Sequence, residues 1–521
     1  MKILIIVLST LMYVLSNINL YGQPYFDTYV KNKYVEENSF IKSTPDTLTP
    51  PEFNIIKSKL PEPVWPNNPN VINMYWRTWE LAFNNIRKVT GEKGFIAPYI
   101  DPAFNNNIFT EDCGFMVLFC RYGSRAFNFQ QTLDNFYAKQ HKDGFICREI
   151  RGDNGNDAFQ RFDPSSAGIN IFPWAEWEYF CNFNDVDRLK RVFPVLLANY
   201  QWYNVYRSWP DGSYFSSGWG CGMDNLPRLP KGYHHAFSHG HMSWIDATLQ
   251  EIFAGKLLIQ MAQILDRTED VEEIKKEVTY LSTYVNSKMW NSNEAIYVDR
   301  FRDGSLSNVK MIGTFWALLA NVVPEIELPR FLAHLSDTTE FNRPHRIPTL
   351  SADNPDYDPV GGYWLGAVWA MTNYSVLRGL TKIGADSLAF EIATNHVNNV
   401  SKVFDKTGII WENYSPEFQS GNNKKNFVGE GGLTGTAIFF EYIFGIRPDV
   451  PNQTVIWDIR LTDEFGVNRY PYGKNGIISF HCKKRSNTKD EPQIKIKSNT
   501  QFKLKIIWEG GSKTLAIKAS N

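Results

Sequence analysis

Ala247-Thr248-Leu249-Gln250-Glu251-Ile252-Phe253-Ala254-Gly255-Lys256-Leu257-Leu258-Ile259 repeats its apolar residues at spacings of three and four. That period lays them along one stripe of an α-helix, and no other run in the chain shows it as clearly. Outward from it, the same kind of patterning predicts twelve helical segments. They fall near 68–90, 111–123, 126–140, 165–182, 185–208, 241–266, 268–290, 309–321, 327–336, 361–382, 385–405 and 430–444. Helices in such succession, with no strands between them, predict a mainly α fold: an (α/α)6 toroid barrel of six helical hairpins over residues 67–445. A helical solenoid would need a regular repeat, and the chain shows none.

After Arg447-Pro448-Asp449-Val450-Pro451 the texture changes. Val455 to Leu461, Gly476 to Cys482, Gln493 to Lys497, Phe502 to Trp508 and Thr514 to Lys518 alternate apolar and polar residues, which predicts short strands and a small β-sandwich over 446–521. Residues 23–66 hold seven prolines and read as an extended arm lying on the barrel. Residues 1–22 read as a secretory signal, with Lys2 at the start and an apolar run from Ile3 to Leu15. That run is too short for a comfortable membrane span, so the expectation is export, to a periplasm or beyond, with no span in the mature chain.

At 521 residues the chain has room for one large domain and a small one. Its formal net charge of −1 gives no reason to expect nucleic acid or an anionic membrane as partner. Aromatic residues make up 15%, including 16 Trp, a bias that suits sugar faces and helical cores alike. Six cysteines in a chain this long are no disulfide framework, and without a CxxC pair they predict no structural zinc.

The long loops 91–110, 141–164, 209–240, 341–360 and 406–429 are where chemistry is expected, because loops beyond about a dozen residues are more often functional than idle. The most constrained of them holds Gly218-Trp219-Gly220-Cys221-Gly222-Met223-Asp224-Asn225-Leu226-Pro227-Arg228. Alternate glycines suit neither helix nor strand; they let a backbone turn tightly beside a ligand. Asp224 alone could be an ordinary turn residue. A second carboxylate, Glu412, sits in the aromatic stretch Ile410-Trp411-Glu412-Asn413-Tyr414-Ser415-Pro416. Two such groups on aromatic loops are the minimum equipment for glycosidic cleavage: one carboxyl held protonated for the leaving oxygen, one carboxylate to draw a proton from water. Asp224, crowded by Trp219 and Met223, fits the first role, and Glu412 the second.

The order of motifs resembles the clan of inverting (α/α)6 glycosidases that holds processing α-glucosidases, mannosylglycerate hydrolases and trehalases, glycoside hydrolase families 63 and 37. Phe109-Thr110-Glu111-Asp112-Cys113-Gly114-Phe115-Met116 is similar to the family's early segment, whose Asp contacts the bound sugar; Asp112 matches it, while Glu111 replaces a Trp. Phe172-Pro173-Trp174-Ala175-Glu176-Trp177 resembles the aromatic start of a following inner helix. The Gly222 to Arg228 segment resembles the one with the general acid, and Trp411-Glu412-Asn413-Tyr414 the one with the base. Tyr363-Trp364-Leu365-Gly366-Ala367-Val368-Trp369 is similar to Tyr-Trp-Arg-Gly-Pro-x-Trp, with Leu365 and Ala367 in place of Arg and Pro. The loss of that Arg fork points to a different substrate.

The resemblance implies an exported glycosidase that inverts an α-linked oligosaccharide or small α-glycoside, with Asp224 as acid and Glu412 as base. Asp112, Trp174, Trp219, Arg228, Trp364, Trp369 and Tyr414 would hold the sugar, and no cofactor or metal is required. Glu430, in Phe427-Val428-Gly429-Glu430-Gly431-Gly432, is a rival base. A polysaccharide lyase on the same barrel is the alternative enzyme, favoured only by His234, His235, His239 and His241. A non-catalytic glycan-binding protein is the alternative outside catalysis. The histidines are dense enough to ligate a metal but read rather as pocket rim or partners of sugar hydroxyls, and Asp353, Asp356 and Asp358 could bind calcium but read rather as turn residues; Asp246 either points into the barrel or is an N-terminal helix charge.

Overall fold

The structure is a computed structural model and describes residues 30–103 and 105–520. The leader 1–22 and the first residues of the arm lie outside the described residues.

The helical body is built from α1 (Pro69–Asn84), α2 (Thr110–Cys120), α3 (Thr132–Ala138), α4 (Phe172–Phe183), α5 (Val186–Tyr206), α6 (Ile245–Ile264), α7 (Glu272–Lys288), α8 (Trp316–Ala320), α9 (Leu328–Ala333), α10 (Ala370–Lys382), α11 (Asp386–Thr407) and α12 (Thr434–Ile443), the last wound as a π-helix. Their sequences sort them into two layers. The residues of α12 are all buried, as are most of those of α2 and α6, which is what an all-round apolar helix requires. By contrast α7 buries only Ile274, Val278, Leu281, Tyr284 and Val285, a single stripe, and α11 does the same through Ala389, Ile392, His396, Val400 and Val403.

The buried helices neighbour one another in chain order. α2 packs on α4, α4 on α6, α6 on α8, α8 on α10, and α12 returns to α2. The striped helices cover them: α3 on α2, α5 on α4 and α6, α7 on α6, α11 on α10 and α12, α1 on α12. One ionic knot pins the inner layer at its C-terminal ends. Glu441 accepts from Arg121 at 2.6 Å, Arg378 at 2.8 Å, Tyr122 at 2.6 Å and Tyr374 at 3.0 Å. Glu178 of α4 joins through Arg378.

Several predicted helices begin later than their apolar pattern suggests, among them those at Thr132 rather than 126, Phe172 rather than 165, Ile245 rather than 241, Trp316 rather than 309, and Ala370 rather than 361. The last case has a clear cause. Gly361, Gly362 and Gly366 take φ of 123°, 49° and 142°, and Tyr363 takes 69°, so the backbone there cannot be helical. A shape-specific loop stands where hydrophobicity alone reads as helix.

The C-terminal strands follow β1 (Glu62–Val64), β2 (Trp411–Tyr414) and β3 (Gly421–Lys425), and are β4 (Ile446–Asp449), β5 (Thr454–Asp458), β6 (Phe465–Tyr472), β7 (Gly476–Cys482), β8 (Ile494–Ser498), β9 (Phe502–Trp508) and β10 (Gly511–Ile517). They form two four-stranded sheets, ordered β1-β6-β7-β8 and β4-β5-β9-β10, antiparallel except for the parallel pair β5–β9. Burial along β7 alternates residue by residue, the mark of a sheet with one face on a core. β1 comes from the arm: Glu62 pairs with Asn468 and Val64 with Gly466, so the arm supplies an edge strand. Elsewhere the arm forms short helical turns at Lys33–Glu36 and Phe53–Ile56.

Candidate active site

Loops ahead of α6, α10 and α12, together with the first turn of α2, meet at the N-terminal ends of the inner helices. The space between them is a cavity of about 770 Å³. Asp112, Trp219, Asp224, Trp364, Trp369 and Glu412 all line it.

The Asp224 loop is held by backbone chemistry that the sequence dictates. Ser217 caps the single turn Gly218–Cys221 by accepting the Gly220 N–H at 3.1 Å. Gly222 ends that turn at φ 75°, and a Cβ there would lie 2.2 Å from Glu111 Oε2. Asn225 then fastens this loop to the Gly361–Trp369 loop: its Nδ2 donates to Gly362 O and its Oδ1 accepts Trp364 N–H, each at 2.9 Å. Gly222→Ala is therefore expected to cost about 1–2 kcal/mol of backbone strain and to displace Asp224. Thermal unfolding and kcat/KM should fall together; unchanged kinetics would show that the loop tolerates the shift.

Glu412 stands on the ribbon of β2 and β3, and its Oε2 accepts Lys424 N–H at 3.0 Å. The ribbon is bonded to the same 361–369 loop, Val368 N–H to Tyr414 O at 2.8 Å and Tyr414 N–H to Val368 O at 3.0 Å. One loop thus fixes both carboxyl-bearing segments. From it Tyr363 places its hydroxyl so that hydrogen bonding favours the ionised form of Asp224 and of Glu412 alike.

The environments of the carboxyls differ. Burial pushes Asp224 up to about 6, against the Arg148 guanidinium and with a further push from Glu412. Burial takes Asp112 up to about 7, with Glu412 and Asp224 adding to the effect and Arg148 opposing it. Glu412 is also raised by burial, but the Lys424 N–H and ammonium resist. Glu430 is held far above the carboxylate range, first by burial and then by Asp112, Glu111 and Glu412. Burial and carboxyl neighbours thus oppose ionisation more strongly at Glu430 than at Glu412, whose anion a backbone N–H supports. That favours Glu412 over Glu430 as a base.

Three sequence candidates stand elsewhere. Trp174 is only 2% exposed: it stacks on Tyr374 at 5.7 Å and meets Phe115 and Trp316 edge-on, filling the core beneath the cavity. Tyr414 is 2% exposed because its strand position points away from the cavity, and its hydroxyl accepts the Trp411 N–H at 3.1 Å. Arg228, also 2% exposed, reaches no ligand space. Its guanidinium donates to Asp299 at 2.6 and 2.8 Å and to Asp246 at 2.7 and 2.8 Å, with Trp244 stacked 3.9 Å away. The helix-start charge Asp246 is half of that fork. It anchors the end of the Asp224 loop to α6.

Of the wall residues, Arg148 escapes sequence reasoning, and Tyr363 stands in its motif without a role. Arg148 lies 4.8 Å from the Phe159 ring and 5.7 Å from that of Trp219, with Glu149 at 3.8 Å. No motif marks it; the tie of Thr110 N–H to Arg148 O, at 2.8 Å, and the pairing of Phe109 with Glu149 bring it beside Asp112. Trp364 and Trp369 stack on each other at 4.2 Å and are buried, which leaves Trp219 and Tyr363 as half-buried aromatic faces of the wall. The four histidines lie outside the cavity wall: His234 stacks on Phe237, and His239 packs on Trp209 and Phe215. Asp353 pairs with Lys310, and Asp358 accepts the Val360 N–H in a turn. Among the described residues no group of three or more His, Cys, Asp or Glu is placed to hold a metal ion. The six cysteines are free thiols, five buried and Cys181 half-buried.

Residues 110–428, which carry all of this, match the family of mannosylglycerate hydrolase MGH1-like glycoside hydrolase domains, and the chain belongs to that family. A Borreliella burgdorferi protein, itself uncharacterized, is 26% identical over 395 residues, 71% of this chain and 80% of its own length. A probable mannosyl-oligosaccharide glucosidase of Schizosaccharomyces pombe is 24% identical over 47% of this chain; the match spans only 34% of that longer protein. Among solved structures, the glycoside hydrolase family 63 mannosylglycerate hydrolase of Thermus thermophilus, in complex with Tris and D-glycerate, shares the fold. Its TM-score is 0.56 at 17% identity, covering 69% of this chain and 98% of that one.

Proposed function

We propose that this glycoside hydrolase cleaves an α-linked oligosaccharide or small α-glycoside with inversion, in a pocket at one end of an (α/α)6 toroid. Asp224 protonates the leaving oxygen, and Glu412 takes a proton from the attacking water. The observation that carries the reading is that both carboxyls line one cavity in unlike surroundings. Burial raises Asp224 towards the protonated form, while a backbone N–H donor supports Glu412 as an anion. Asp112 contacts the sugar, and Trp219 offers it an aromatic face. The leader 1–22 supports export as the destination, and among the described residues no helix is long and apolar enough to cross a membrane.

The test is a panel of aryl and natural α-glycosides. Hydrolysis releases a reducing sugar with no new ultraviolet absorbance. A lyase would create an absorbing unsaturated product, and a binding protein would release nothing.

The carboxyl surroundings also predict a pH profile. As pH rises, Asp224 loses the proton it must donate, so kcat/KM falls through an alkaline limb near pH 6. As pH falls, Glu412 is neutralised, which gives the acid limb. Because the two groups interact, the limbs belong to the pair. Arg148→Met removes a charge that lowers Asp224, so the alkaline limb should move to higher pH. A limb that stays in place or moves down would detach it from Asp224.

A further inference from the structure

Two carboxyl groups in the cavity wall have no part in the proposed chemistry. Glu111 is 9% exposed and Glu430 5% exposed, and both line the cavity. Glu430 Oε2 is buried with no hydrogen-bond partner, an arrangement that costs stability unless a ligand completes it. Glu111 lies directly beneath Gly222, at the foot of the Asp224 loop.

The titratable groups around them are mostly acids. Besides this pair, the wall holds the carboxyls of Asp112, Glu149, Asp224 and Glu412, against two cations, Arg148 and Lys424. Arg148 is already beside Glu149 at 3.8 Å and over the rings of Phe159 and Trp219. Lys424 is exposed. An anionic sugar would add a further acid to this crowd of carboxyls. A neutral sugar can offer hydroxyl donors but no charge. An ammonium brings three donors and a charge with which a carboxyl, once ionised, can pair.

We propose that the sugar bound in this cavity carries an ammonium group, held by Glu430 and Glu111, so that the enzyme takes glycosides of amino sugars in preference to neutral or acidic ones. The inference rests on the glycosidase reading of the same site. Burial and neighbouring carboxyls raise both groups above the ordinary carboxylate range: Asp112, Asp224 and Asp246 act on Glu111, and Asp112, Glu111 and Glu412 on Glu430, while Arg148 opposes the shift at Glu111. An arriving ammonium reverses the balance. One carboxyl gives its proton to solvent and pairs with the ligand, so binding releases a proton that a neutral sugar would not.

The experiment is calorimetry on the full chain at pH 7, in two buffers of different ionisation enthalpy. The probes are the 2-amino-2-deoxyhexoses of gluco, manno and galacto configuration, their parent hexoses and their N-acetyl forms. In at least one configuration the amine should bind about tenfold or more tighter than its parent, and with proton release. Glu430→Gln should abolish the preference and the release, and Glu111→Gln should weaken the preference; cooperative melting shows that each variant is folded. Amines that bind no tighter than the parent hexoses, or a preference that lacks proton release and survives both variants, would overturn the proposal. Parent hexoses bound without preference sink this inference alone. No binding by any probe, with no α-glycoside turned over, sinks the glycosidase reading with it.

Discussion

Asp224→Asn should lower kcat on an unactivated α-glycoside by about a hundred- to ten-thousandfold, the usual worth of a positioned general acid. The amide has the shape of the carboxyl and keeps the turn between Gly222 and Asn225, but it has no acidic proton, so the leaving oxygen must depart as an anion. The loss should shrink sharply on a glycosyl fluoride or dinitrophenyl glycoside, whose leaving group needs little protonation. Glu412→Gln should lose a similar factor on both kinds of substrate, because water must be activated either way. Sugar affinity should survive in each variant. Steady-state kinetics on the two substrate classes decide the roles. If Glu412→Gln stays active while Glu430→Gln is dead, the base has been misassigned.

The second large effect concerns stability. Arg228, Asp246 and Asp299 are all buried, and one guanidinium satisfies both carboxylates through four hydrogen bonds. Arg228→Met leaves two carboxyls in the interior with no cation, a kind of break that costs about 3–5 kcal/mol. Arg228→Lys should not repair it, since an ammonium cannot serve two carboxylates as a planar fork does. Combining Arg228→Met with Asp246→Asn and Asp299→Asn should recover much of the loss. Denaturant unfolding measures all three. A loss below about 1 kcal/mol for Arg228→Met would mean that the fork adds little to the fold. Because Arg228 ends the Asp224 loop, kcat should fall with stability.

The residues that sequence could and could not place differ for physical reasons. Asp224 and Glu412 were legible because glycines and aromatics crowd around isolated carboxyls in long loops, and the structure brings both to one cavity. Helix periodicity located the segments of the helical body, and alternation located five of the seven C-terminal strands, missing Ile446–Asp449 and Phe465–Tyr472, since both patterns record which face is buried. Burial depth leaves no such mark. Trp174 reads like a sugar platform in its aromatic helix start, yet Phe115, Trp316 and Tyr374 close over it. Arg228 reads as a clamp beside Asp224, but its two acidic partners lie 18 and 71 residues away. Tyr363 was legible as part of a motif but not as a partner of the carboxyls, because its left-handed backbone lies inside what reads as a helix. Pairing across such distances is a property of the folded chain and not of any short stretch.

The whole mechanism depends on attack from the face of the sugar opposite the leaving group, with Glu412 on one side and Asp224 on the other. Proton NMR of the first sugar released from an α-glycoside, recorded before mutarotation, reads this directly. The account predicts the β-anomer as the initial product. An initial α-anomer would contradict it, because retention requires one carboxyl to bond to the sugar itself.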